Sequence, residues 1–223
     1  MKNLLKKELK LALHPTAPLF LALSAMLMIP NYPYLVAFFY TGLGVFFTCL
    51  LGRENDDIGY TLLLPVSKRD VVRARFTVVI ALQLLQMLLA VPFAALRQML
   101  IPEGNLAGLD ANVALFGFAF VLYGGFNLIF FSTYYKDVRR VGASFILSSV
   151  WVFLWIGAVE ACTHVVPYMR ACIDTPDPAH LTEKLVILAV GAAVYALLTV
   201  AAYRRAMRLF EKQDLQMNRP HLA

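Results

Sequence analysis

Between Leu11 and Gly52 the chain carries no Asp, Glu, Lys or Arg, and further uncharged runs follow at 76–96, 111–135, 141–159 and 185–203. Each comes close to the roughly 20 residues that a helix needs to cross the hydrocarbon of a bilayer. The runs do not alternate apolar and polar positions over about ten residues, so they are not the strands of a membrane barrel. A lipid-exposed backbone must satisfy its own hydrogen bonds, which leaves helices. The first stretch divides at Pro30-Asn31-Tyr32-Pro33, a turn-forming run, into segments 16–30 and 34–51. Pro15 and Pro18 punctuate the first of these, and a re-entrant or interfacial segment would also suit it. The pattern predicts an all-α integral membrane fold of six transmembrane helices, a single domain over 1–223, with polar stretches at 52–75 and 160–184.

The first fourteen residues form a separate element. On a helical wheel Met1, Leu5, Leu9, Ala12 and Leu13 share one face, while Asn3, Lys6, Lys7 and Lys10 share the other. This is the pattern of an amphipathic helix lying in the membrane interface.

Charge decides the orientation. With six passes and both termini in the cytoplasm, only Arg97, Arg170 and Lys184 of the 20 basic residues fall outside. That asymmetry is what the positive-inside rule demands. Without the first pass, the N-terminal lysines would be on the wrong side. Composition agrees: 60% of the residues are hydrophobic and 15% charged, against roughly 45–50% and 25% in soluble domains. The net charge of +6 sits in short clusters between apolar runs, not on one continuous basic surface, which argues against nucleic-acid binding.

Chemistry is sparse. No GxxxxGK[ST], HExxH or GxSxG motif occurs, and the four histidines are scattered, so no catalytic set, cofactor site or metal site is expected. Cys49, Cys162 and Cys172 lack CxxC spacing. Cys162 and Cys172 share the outer loop, where a disulfide and two separate thiols both fit the spacing. Gln83, Gln86, Asn127, Ser144, Ser148 and Ser149 fall within apolar runs and read as hydrogen-bonding glue between helices. Aromatic residues crowd the second and fifth spans. Lipid contact is their ordinary use, and the sharper reading is a substrate pathway lined by Phe39, Phe46, Ser148, Trp151 and Trp155.

The most informative stretch is GRENDDIGYTLLLPVSKRDVVRAR at Gly52 to Arg75. Glu54 to Leu64 can form a short helix whose acidic start suits the positive end of the helix dipole. After Pro65, Ser67 caps a new helix with Asp70 three residues on. RENDDIGY followed by LLPVSKRDVVRARF resembles the permease subunits of ABC-2 type transporters. The N-terminal helix, the six spans and the long last outer loop extend the likeness over nearly the whole chain.

The resemblance implies a permease subunit in the bacterial cytoplasmic membrane, paired with a second permease copy as homodimer or heterodimer. It implies ATP hydrolysis by two copies of a separate ABC ATPase. It also implies a cytoplasmic coupling helix at 54–64, with Glu54, Asp56, Asp57 and Tyr60 as contacts and the basic pair Lys68 and Arg69 beside them. Two rival readings are a non-transporting accessory or immunity protein and a membrane-embedded enzyme. The enzyme would need convergent polar residues at one depth in two or more helices.

Overall fold

The computed structural model describes residues 2–101 and 104–213; Met1 of the expected apolar face and Arg219 of the cytoplasmic count lie outside them. Among the described residues five helices are long and apolar enough to span a bilayer: α3 Leu35–Glu54, α5 Lys68–Leu100, α6 Val113–Tyr134, α7 Val141–Val165 and α8 Leu181–Glu211. A sixth span exists only if the bent pair Asn3–Ala12 and Thr16–Met28, which meet at 82°, counts as one. The expected segment 16–30 is α2, Thr16–Leu21, continued by a 3₁₀ turn at Ala22–Met28. It is thus a shorter, broken element, in keeping with its two prolines.

The N-terminal element, α1 at Lys2–Lys7 with a π turn at Glu8–Ala12, stands nearly perpendicular to the segment after it. Its buried side overlaps the face the wheel selected only in part: Ala12 is buried and Leu5 and Leu13 pack partly buried against Ala17, Leu21, Val78 and Leu82. Leu4, Glu8 and Ala12 are buried, whereas Leu9 is 55% and Leu11 is 75% exposed. An acidic residue thus occupies the middle of the packed face.

Local signals account for the long helices. Ser67 Oγ accepts from Asp70 N and donates to the Asp70 carboxylate, which fixes the start of α5. Asn112 Oδ1 accepts from Ala114 N and Leu115 N to start α6. Such caps satisfy backbone donors that a helix leaves unpaired. α5 runs through Pro92 and begins eight residues before the apolar run at 76, and its first two turns are packed too, with Val71, Val72, Ala74 and Arg75 buried.

α6 is the hub of the bundle. Of its apolar window 61% is buried, against 22% for α7 and for α8. Stacked Phe126, Phe130 and Tyr134 run along it with ring centroids 5.2 and 5.9 Å apart. Polar side chains at one depth tie α5, α6 and α8 together. Gln83 and Asn127 exchange amide hydrogen bonds at 2.8 and 2.9 Å, Asn127 donates to Thr199 at 3.1 Å, and Tyr195 donates to Gln83 at 2.8 Å. The expectation that Gln83 and Asn127 act as glue is met. Gln86, one turn further along α5, is fully buried with neither amide atom hydrogen-bonded.

Candidate functional site

At the end of the bundle where α3 finishes and α5 starts, the chain makes a short excursion. α3 continues through Glu54, so this residue closes a long helix and does not open the short one. Asp56 then takes a left-handed conformation, φ 46°, and α4 spans Asp57–Leu62. The helix expected at Glu54–Leu64 is therefore shorter at both ends. Gly59 leaves room for the exposed Asp56 carboxylate, which would lie 2.3 Å from a Cβ there.

α4 has two faces. Ile58 and Thr61 are buried, and Thr61 Oγ1 donates back to the Asp57 carbonyl at 2.6 Å. Tyr60 is 67% exposed, and Leu63 and Leu64 beyond the helix end are 64% and 58% exposed. Glu54, Asn55 and Asp56 are exposed beside them. An apolar rim with adjacent carboxylates thus projects from the bundle.

The buried side holds an ion network. Arg75 Nε donates to Glu8 at 2.6 Å, and Arg75 Nη2 donates to Asp57 at 3.1 Å. Lys7 Nζ reaches Asp57 at 2.5 Å and Glu8 at 3.2 Å. Arg75 and Glu8 are almost fully buried, and Asp57 nearly so. Two cations and two carboxylates therefore join α1, α4 and α5 at one point. Asp57, expected to face a partner, is turned inward.

Lys68 and Arg69 are engaged too. Lys68 donates to the Gln213 carbonyl at 2.5 Å and lies 5.8 Å from the Phe210 ring centroid, while Arg69 pairs with Glu211. They fasten the start of α5 to the end of α8. Of the residues singled out on the sequence, Glu54, Asp56 and Tyr60 remain presented outward.

The aromatic candidates fill helix interfaces. Phe46 stacks on Phe145 at 4.3 Å, and Phe39 lies 5.9 Å from Phe145 and 5.5 Å from Phe153, so these rings form a seam between α3 and α7. Trp151 and Trp155 stack at 5.6 Å and donate to the Leu122 and Phe118 carbonyls of α6. Ser148 is buried and bonds back to its own helix at Ser144 and Phe145.

At the opposite end the loops before α6 and before α8 interlock. Asp174 accepts from Asp110 N, Asn112 donates to the Ile173 and Thr175 carbonyls, and Asp177 accepts from Val113 N. Fully buried Lys184 donates to Asp177 at 3.0 Å and to the Thr175 carbonyl at 2.6 Å. Cys162 and Cys172 are separate free thiols at this end. Burial pushes the Asp174 carboxyl up to about 6, with the Asp110 carboxylate adding to the rise. The hydrogen bond from Asp110 N and the charges of His164 and Lys184 oppose it.

A carboxyl raised on folding contributes stability that is complete below its unfolded pKa and is lost as pH rises through its folded value. The cap should therefore loosen between about pH 4 and about pH 6. Hydrogen exchange of segments 105–112 and 166–180, corrected for intrinsic rate, should speed up over that range. In Asp174→Asn, whose amide oxygen still accepts from Asp110 N, the change should shrink, the remainder coming from the other carboxyls of the cap, Asp110 and the Glu160 that accepts from Leu109 N. Identical pH dependence in both proteins would remove Asp174 as its origin.

A bundle of five to six apolar helices with interlocked loops at one end and a projecting helix at the other defines a multi-pass membrane protein. Its residues 3–211 match the family described as ABC-2 family transporter protein, and the chain belongs to that family. No curated protein and no solved structure matches it. Sequence reasoning found the excursion but missed the Glu8–Arg75 pair. The available signal was Glu8 itself, the lone acid among four lysines and spaced four residues from Leu4 and from Ala12.

Proposed function

We propose that the chain is the membrane-spanning subunit of an ATP-driven exporter in the cytoplasmic membrane of a bacterium, with both termini cytoplasmic. It works as a pair of permease subunits with two copies of a separate ATPase, which carries the hydrolytic chemistry. α4 is the coupling helix, and the N-terminal element, α1 with its π turn, lies in the interface with Leu9 and Leu11 toward lipid. One observation carries this reading: α4 offers Tyr60, Leu63 and Leu64 to solvent on one side while Asp57 clamps its other side to α1 and α5. An element gripped in this way passes a push on its exposed rim to two helices as a rigid body.

Aromatic anchors at interfaces commonly contribute about 2 kcal/mol or more. The variant Tyr60→Ala/Leu64→Ser should therefore insert at normal abundance yet copurify with its ATPase at least about tenfold less. Its reconstituted ATP turnover should fall to that of the ATPase alone. Full copurification and turnover would show that α4 is not the coupling element. Failure of the unaltered chain to retain any ATPase would sink the transporter reading itself.

A further inference from the structure

We propose that the basic face of α8 formed by Arg204, Arg205, Arg208 and Lys212 is a docking surface for the headgroups of anionic phospholipids. α8 is one unbroken helix from Leu181 to Glu211. Its buried face carries Gly191, Tyr195, Thr199, Ala202, Ala206 and Phe210. The opposite face shows Val186 and Val190, each 57% exposed, and Leu197, 71% exposed.

At 3.6 residues per turn, positions 186, 190, 197, 204, 208 and 212 fall within about a quarter-turn of one another, with 205 at its edge. The face that meets the acyl chains thus continues in line into the four cations, all of them exposed. The apolar run ends at Tyr203, and Arg204 to Lys212 then rise about 12 Å along the axis. That places the guanidinium groups at headgroup depth and the last ammonium just beyond it.

The charges are unspent. Among the described residues none of the four side chains takes part in a hydrogen bond or ion pair, and the nearby Glu211 is committed to Arg69. In a bilayer the lipid that covers this apolar face brings its headgroup within reach of the four cations. Basic clusters immediately beyond a membrane helix attract anionic lipid in this way.

The test compares spin-labelled phosphatidylglycerol with spin-labelled phosphatidylcholine, each as a trace in phosphatidylcholine bilayers containing the full chain. Electron spin resonance measures the motionally restricted fraction. The unaltered chain should prefer the anionic label, and high salt should weaken that preference. In R204Q/R205Q/R208Q/K212Q the preference should drop on the order of fivefold to tenfold, with helicity unchanged by circular dichroism. The variant R139Q/R140Q removes two exposed cations that pair with Asp137 and should leave the preference intact.

No preference in the unaltered chain, or none lost in the fourfold variant, overturns the proposal. An equal loss in R139Q/R140Q would reduce the effect to net charge. Loss of ATPase copurification with lipid preference retained would make the face a protein-docking surface and likewise overturn it.

Discussion

Arg75→Met should cost about 3–5 kcal/mol, the usual cost of stranding a buried charge by removing its partner. Arg75 is 3% exposed, and its loss leaves Glu8, 2% exposed, and Asp57 facing each other with only Lys7 between them. Lys7 retains 21% exposure, so Lys7→Met should cost far less, about 1 kcal/mol. The double variant Glu8→Gln/Arg75→Met should recover part of the loss, because neither group is then a stranded ion. Thermal unfolding in detergent, with membrane abundance as a second readout, measures the order. Protease cleavage near residues 55–67 should rise in Arg75→Met as α4 loses its inner clamp. A melting temperature equal to that of the unaltered protein would show that the network does not hold these elements.

A loss at least as large is expected for Gly191→Val. A Cβ at Gly191 would lie 2.2 Å from the Gly117 carbonyl oxygen, and one at Gly117 would lie 2.6 Å from the Ile187 carbonyl oxygen. α6 and α8 therefore touch backbone to backbone, the close approach that small residues permit between membrane helices. A flexible side chain could move aside, but a carbonyl cannot unless the helices separate. Separation would draw Tyr195 and Thr199, one and two turns along α8, away from Gln83 and Asn127. The expected cost is about 3 kcal/mol or more, read as loss of membrane abundance and of the cooperative melt. Gly157→Ala is the control, since its added Cβ meets nothing within 4 Å. It should be neutral or better, by up to about 1 kcal/mol. Similar behaviour of the two variants would dismiss the close crossing.

The excursion at 52–75 was readable because its signals are local. A break in apolarity, Pro65 and the Ser67–Asp70 cap each act within a few residues. Its inner contacts were not readable, since Glu8 and Arg75 meet across 67 positions and nothing in either neighbourhood names the other. The wheel put Glu8 on neither face, and charges in isolation prefer water. A single buried guanidinium reversed that preference. Likewise Trp151 and Trp155, one turn apart, announced a shared face but not that their indoles would donate to carbonyls of α6.

By itself the sequence determined the solvent of each segment, because transfer of apolar side chains into lipid depends on composition over about 20 residues and needs no partner. From that follow the helical class, five of the six expected spans as long apolar helices, and the polar excursion between α3 and α5. Tertiary structure alone decided that Asp57 faces inward. It also decided that Lys68 and Arg69 hold the end of α8, and that Gly117 meets Gly191. Each of these depends on which surfaces touch, and side-chain pairing between distant segments is fixed by packing geometry that no local pattern encodes.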